Sequence, residues 1–361
     1  MSRRFLFLSG AAHRALDPNA TQASGGAELQ VALLSKELVK RGHEVTIAAS
    51  GDDFPDRVRW DGIQIRSAGN YAEGGIKATL RSIQPVLAIL REEKPDYVVV
   101  YGWTSWLALL CALKRDRYKV IFVCALDGEL DGTFREANPF RGRLFDWGIE
   151  KSDFRFGITD TQRQMFLARG LEAEVTRLLL KNPRATKPVA KDIDLLWVAR
   201  CQPVKQPGMF LDLAKSFPKA SCCMICSPQN QALFDGISER AQKISNLNFL
   251  SNVPYSEIQS YFDRASVFVN TSSDEGVPNT FLHSGQGAAA IASLTVDPDG
   301  LIAKFGAGFC AGGDPDLLEK GISRLLHEPA VKSAASVGSR SFLSAWHNND
   351  ENVQAFLRPL T

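Results

Sequence analysis

Residues Val267 to Ser293 read VFVNTSSDEGVPNTFLHSGQGAAAIAS, and this stretch decides the fold. Val267–Val269 is an apolar run bounded by polar residues, the pattern of a strand buried on both faces. A polar loop, Asn270–Asp274, leads into Glu275-Gly276-Val277-Pro278. Asn279 and Thr280 can cap a helix, which Phe281, Leu282 and Gly285 continue toward a second apolar run, Ala288–Ala292. Strand, loop, helix and strand make one parallel βαβ unit, with the helix N-terminus turned into the loop. That terminus leaves backbone N–H groups unpaired and carries partial positive charge, so it suits a phosphate. Glu275, at the same spot, repels phosphate but accepts hydrogen bonds from hydroxyls. A site offering both suits a sugar phosphate. For this segment alone, an ordinary surface glutamate on a connecting loop is the competing reading.

Upstream, Asp194–Ala199 reads as a strand with Arg200 and Lys205 just past its C-terminal end. Two fixed cations there can neutralise a pyrophosphate and stabilise it as a leaving group, Arg200 as a planar fork and Lys205 as a compact charge. The strand Ala220–Cys226 carries Cys222, Cys223 and Cys226. Their spacing invites a zinc or redox reading, but no second ligand pair accompanies them, and buried small apolar residues fit a strand better. Asn248–Leu250 is a short strand followed by the loop Ser251-Asn252-Val253-Pro254. Helices are expected over Pro315–Leu326, Pro329–Ala345 and Asn349–Phe356.

In the first half, Arg3–Ser9 is a strand, and the polar loop Gly10–Ser24 ends in Gly25-Gly26 before a helix over Ala27–Arg41. The glycines let the backbone approach a ligand, or simply make a tight turn. The three-glycine spacing of a dinucleotide fingerprint is missing. Pro85, inside the helical pattern Ile76–Glu92, predicts a kink or a break. Trp103–Leu113 is apolar enough to pack on the sheet, with Trp103 and Trp106 as packing residues ahead of sugar platforms. Val120–Ala125 is a strand ending in Leu126-Asp127-Gly128-Glu129-Leu130-Asp131, and strand C-termini of doubly wound sheets face the ligand crevice. Acids there can bind acceptor hydroxyls, hold a metal through oxygen, or simply be solvated. Arg135, Arg141 and Arg143 follow, suited to a phosphate, a membrane surface or plain solvent. Lys181–Lys191, KNPRATKPVAK, has hinge composition.

A length of 361 residues suggests two domains, and 45% hydrophobic with 23% charged residues gives apolar mass for two cores. A net charge of +2 argues against a dedicated nucleic-acid binder. No apolar run approaches the roughly 20 residues that span a bilayer. The start, MSRRFLFLSG, reads as a first strand rather than a signal peptide. Seven cysteines, an odd number without framework spacing, point to a reducing cytoplasm.

Glu-Gly-x-Pro before a helix resembles the donor-site motif of the retaining GT-B glycosyltransferases of family four. That motif is Glu, seven residues, Glu; the first falls on Glu275, and His283 stands where the second would be. GGAELQVALLSKELVKRGHEVTIAA resembles the family's first helix, and Arg200 with Lys205 matches the pair that holds its donor diphosphate. The resemblance implies an α/β GT-B fold, two doubly wound Rossmann-like domains facing across a cleft. Residues 1–183 would form the acceptor-side domain and 184–339 the nucleotide-sugar domain, with closing helices from about 340 to 361 docking back on the first. It implies retaining transfer of a sugar from a nucleotide-sugar donor to a glycan, glycolipid or small-molecule acceptor, in bacterial cell-surface polysaccharide assembly. Glu275, Arg200, Lys205 and Asp127 become catalytic residues, Asp127 by orienting the acceptor. Gly25, Gly26, Val253, Gly276, Val277, Asn279, Thr280 and His283 become donor-site residues, Val253 through backbone groups toward the base. His283 in place of a carboxylate implies weaker or altered nucleotide binding. No metal and no cofactor beyond the nucleotide-sugar substrate are implied, nor any nucleic acid; the setting is the cytoplasm, with peripheral contact at the inner membrane. The competing functions are a silent GT-B sugar- or nucleotide-binding protein and a sugar-nucleotide epimerase.

Overall fold

The computed structural model describes residues 2–17, 25–51, 54–71, 75–181 and 189–360. The chain divides into two compact units, Met1–Lys181 with Asn349–Thr361, and Asn182–Asn348. The loop residues 18–24 and the hinge residues 182–188 lie outside the described residues.

The first unit holds β1 (Arg4–Leu8), β2 (Glu44–Ala49), β3 (Arg57–Trp60), β4 (Ile63–Ser67), β5 (Tyr97–Tyr101), β6 (Lys119–Val123), β7 (Phe154–Gly157) and β8 (Glu174–Val175). They form one sheet ordered β3-β4-β2-β1-β5-β6-β7-β8, parallel except where β3 pairs with β4. Around it lie α1 (Gly26–Lys40), α2 (Gly75–Glu93), α3 (Trp106–Leu113), α4 (Thr133–Ala137), α5 (Pro139–Lys151) and α6 (Asp160–Ala168). From β1 the strand order runs one way through β2 and β4 and the other way through β5 and β6. The reversal opens a crevice at the C-terminal ends of β1 and β5.

The second unit repeats the plan with β9 (Ile193–Arg200), β10 (Cys222–Ser227), β11 (Leu247–Leu250), β12 (Ala265–Asn270), β13 (Ala290–Ser293) and β14 (Gly308–Cys310). Its all-parallel sheet is ordered β11-β10-β9-β12-β13-β14, so the reversal falls between β9 and β12. The helices are α7 (Pro207–Ser216), α8 (Gln231–Ala241), α9 (Tyr255–Arg264), α10 (Asn279–Gly287), α11 (Leu301–Phe305), α12 (Pro315–His327) and α13 (Pro329–Trp346). Alternation splits the strand side chains between two cores. Leu195, Trp197, Cys222, Cys226, Val267 and Val269 face one, and Leu196, Cys223, Ile225 and Phe268 the other. The cysteines are therefore buried packing residues on opposite faces of β10.

The last helix, α14 (Asn349–Leu357), belongs to the first unit. Asn349 Oδ1 accepts from Leu180 N at 2.8 Å while its Nδ2 donates to Leu180 O at 2.9 Å. Phe356 packs on Phe5 and Phe156, and Tyr97 donates to Leu360 O at 2.7 Å. Three features depart from the sequence reading. Pro85 breaks nothing, because α2 runs on through it with Val86 and Ile89 fully buried beyond. The stretch Val175–Leu179, which closes the first half of the sequence ahead of the hinge, gives only a two-residue strand, Glu174–Val175, and β3, α4 and α5 were not anticipated.

The helix α10 is wedged between two neighbours by its glycines. A Cβ on Gly285 would meet Ser339 O of α13 at 2.7 Å, and one on Gly287 would meet Phe262 O of α9 at 2.4 Å. Both obstacles at the closest approach are backbone, so neither yields by rotamer change. Among the described residues no helix is long and apolar enough to cross a membrane. Gly287→Ala is expected to cost about 1–3 kcal/mol by overpacking, read as a lowered urea midpoint at unchanged slope.

Candidate functional site

In the second unit the reversal point collects the residues singled out above. Arg200 ends β9, with Cys201 buried behind it, and a one-turn 3-10 helix, Pro203–Lys205, presents Lys205. Gln206 turns the chain into α7 with φ of 46°, a left-handed position held without glycine. From the other side β12 delivers Asn270 and the loop that carries Glu275 to α10. Hydrogen bonds tie the loops together, the shortest from Thr271 Oγ1 to Lys205 O at 2.7 Å and from Ser273 N to Val204 O at 2.9 Å. Trp197 Nε1, from the core, donates to the same Thr271 hydroxyl at 2.9 Å.

On this frame Lys205 Nζ meets Glu275 Oε2 at 2.7 Å, and Asn270 Nδ2 donates to Glu275 Oε1 at 3.1 Å. The carboxylate and the ammonium therefore neutralise one another across the two loops. Arg200 is half-buried, and among the described residues no hydrogen bond or ion pair holds its guanidinium. Gly276 is buried and Val277 half-buried beside them. Asn279 and Thr280 lie inside the first turn of α10, not at its cap: Pro278 holds that position, and no side chain caps the helix. The N-terminal end of α10 brings its partial positive charge to this point.

His283 points elsewhere. It is 6% exposed, stacked on Phe262 and edge-on to Tyr255. Gln259 Nε2 donates to Asp263 and to His283 O, so its Oε1, 2.7 Å from His283 Nδ1, is left to accept. The other ring nitrogen lies 3.2 Å from the Tyr255 hydroxyl. With both nitrogens engaged by α9, the ring braces α10 from behind. Val253, half-buried in the loop before α9, packs on the same apolar cluster as Tyr255.

In the first unit a cleft of about 250 Å³ opens at the β1–β5 reversal. Ser9 and Gly10 past β1, Ala27 and Glu28 in the first turn of α1, Tyr101 at the end of β5 and Trp103 past it are among its walls. Gly25 has an extended backbone, φ −74° and ψ 173°, so it is not there for a left-handed turn; Gly25 is buried and Gly26 exposed. Asp127 does not line this cleft; its Oδ1 accepts from Gln162 Nε2 at 3.0 Å.

Its neighbour Glu129, one of the three acids of this turn in the sequence but not the one assigned a role, is the buried acid of this edge. Glu129 Oε1 accepts from Trp103 N, and Oε2 from Ala125 N, each at 2.9 Å, so one carboxyl clamps the loops after β5 and β6. Burial pushes it up to about 7 against the downward pull of these donors. The only trace in the sequence was an acid two residues beyond Asp127 in a turn.

Two family models match the chain, the glycosyl transferase 4-like domain over residues 25–180 and the glycosyl transferases group 1 over residues 181–342. Among solved structures, sucrose-phosphate synthase from Thermosynechococcus elongatus aligns with a TM-score of 0.84 at 15% identity, covering 99% of this chain and 98% of that one. An α,α-trehalose-phosphate synthase (UDP-forming) from Burkholderia vietnamiensis gives 0.74 at 13% identity, over 100% and 99%. WaaG, a glycosyltransferase involved in lipopolysaccharide biosynthesis, gives 0.71 at 13% identity, over 97% and 98%. These likenesses show the fold. No curated protein matches the chain.

If His283 serves packing, His283→Ala loses roughly 2–4 kcal/mol in chemical denaturation, while affinity for a nucleoside diphosphate stays within about twofold of wild type. Selective loss of nucleotide affinity at full stability is the contrary result. For Glu129 the folded pKa lies above the unfolded one. Its contribution is therefore full below the ordinary carboxyl range and lost as pH rises through about 7. In Glu129→Gln this part of the pH dependence of the melting temperature is expected to disappear.

Proposed function

The chain belongs to the group 1 glycosyltransferases of the GT-B fold, and from that premise we propose that it is a retaining enzyme using a nucleotide-sugar donor. The carrying observation is the second-unit reversal point. The N-terminus of α10, Arg200 with no partner among the described residues, and the Lys205–Glu275 pair converge there within two hydrogen-bonded loops. Arg200 and Lys205 would take the donor diphosphate, and the α10 terminus would add its N–H groups. As Lys205 turns to phosphate, Glu275 is released to accept from the hydroxyls of the donor sugar. Gly276, Val277, Asn279 and Thr280 then form the wall along which the sugar and phosphate lie, and the Val253 loop approaches the base.

In the proposed step the bond from the anomeric carbon to the diphosphate oxygen breaks. The acceptor oxygen bonds that carbon on the same face, and its proton passes to the departing phosphate. Charge on the leaving group is met by Arg200, Lys205 and backbone dipoles, so the reading calls for no metal. Asp127, on the acceptor side, would act on acceptor hydroxyls while Gln162 fixes its carboxylate. The proposed setting is the assembly of a cell-surface glycan or glycolipid at the cytoplasmic face of the membrane. This rests on the resemblance, and WaaG, of the same fold, is a glycosyltransferase involved in lipopolysaccharide biosynthesis.

Release of free nucleoside diphosphate that depends on an added acceptor tests the transferase reading against a silent binding protein or an epimerase. Arg200→Ala is expected to lower kcat about 100-fold or more with little change in melting temperature, since no partner in the described structure depends on it. Unchanged kcat would remove Arg200 from the leaving-group site.

A further inference from the structure

The first-unit cleft carries charges that the reading above leaves unassigned. Arg141, from α5, is one of its walls, and its guanidinium lies 4.6 Å from the centre of the Trp103 ring. Among the described residues no hydrogen bond or ion pair engages it. Three other arginines of this unit have partners: Arg135 and Arg169 both reach Asp146, at 3.5 and 3.0 Å, and Arg155 donates to backbone carbonyls, while Arg143 is exposed and is not among the cleft's walls. Arg141 is also held in place. Phe145 stacks on Trp103 and Phe134 meets its edge, while Glu129 fixes the Trp103 backbone. A cation over an indole keeps its N–H fork open for an acceptor.

The acid of the cleft does not answer it. Glu28 and Arg141 line one cavity yet form no ion pair. Glu28 sits in the first turn of α1, where the helix end offsets a negative charge. Among the described residues, that leaves Arg141 as the lining charge without a counter-charge. Ser9, Thr104 and Ser105 add hydroxyls to the lining, and a volume of about 250 Å³ gives room for a sugar ring. The indole Nε1 of Trp103, buried under this wall, likewise has no acceptor in the described structure.

We propose that this cleft takes a sugar-sized acceptor bearing a fixed anionic group, a phosphate or a carboxylate, with Arg141 as the partner of that group and Glu28 accepting from its hydroxyls. The inference rests on the transferase reading for the name acceptor, while the recognition itself is set by Arg141. It makes Arg141 a specificity residue, since a neutral sugar of the same shape leaves the guanidinium unmatched.

The test is calorimetric titration of the full chain with hexose 6-phosphates, hexuronic acids and the corresponding neutral hexoses. At least one anionic probe is expected to bind about 10- to 100-fold more tightly than its neutral counterpart. In Arg141→Gln that ratio should fall to near one, and Arg141→Lys should keep part of it, with melting curves showing both variants folded. Preference for the 6-phosphates identifies the anion as phosphate, and preference for the uronic acids as carboxylate. No anionic preference in the wild type, or one that survives Arg141→Gln, overturns the proposal. Nucleoside diphosphate binding, measured alongside, separates the two readings. If it is intact without anion preference, only this inference fails; if it too is missing, the transferase reading fails.

Discussion

One buried hydroxyl ties the second unit's site together. Thr271 Oγ1 accepts from the Trp197 indole and donates to Lys205 O, so the core, the loop after β9 and the loop after β12 meet at a single atom. A threonine side chain is short and stiff, and this one is fully buried, so the two loops have little freedom to separate. The Lys205–Glu275 pair follows from that knot, because neither side chain would hold position on a loop free to move. An ion pair this far from bulk water offsets much of its own attraction by the desolvation of both charges, so it adds little net stability. Here its value is in readiness: each partner is already oriented, and a diphosphate can take one while the sugar takes the other.

The first unit solves the same problem with a carboxyl instead of a hydroxyl. Glu129 binds the backbone of the segments after β5 and β6, which lets Trp103 stand at the rim of the cleft and carry Arg141 on its face. Each sheet therefore has a polar clamp beside its reversal point and leaves charged groups unspent in front of it. Buried polar groups of this kind are costly unless fully bonded, and their good geometry here fits that demand.

Much of this was legible in the sequence where the signal is local. Strand, loop and helix over Val267–Ser293 and the basic residues at the end of β9 come from short-range pattern. What depends on contacts distant in sequence was not. His283 sits eight residues after Glu275, a spacing that suggested a face toward the nucleotide, yet α9 claims its ring. The helix α5 escaped because its buried face is built from Gly142, Phe145, Gly148 and Ile149, while Phe140, Leu144 and Trp147 point outward. Glycines that admit a neighbouring backbone carry no hydrophobic signal, so the periodicity runs opposite to burial. Gly148 lies against Leu107 and Ala108 of α3, a contact that composition cannot announce. Arg141 was noticed as a charge and placed only once α5 was known.

The return of α14 to the first unit has a consequence for how this protein is made. Asn349 completes the hydrogen bonding of Leu180, and Phe356 fills the space beside Phe5 and Phe156. A nascent chain emerging from the ribosome can thus finish its second unit before the first has received its last piece, reversing the usual N-to-C order. The same discontinuity governs any attempt to shuffle halves between relatives. A chimera joined only at residue 181 pairs one parent's sheet with the other parent's closing helix, whereas a second junction at 349 keeps each unit whole.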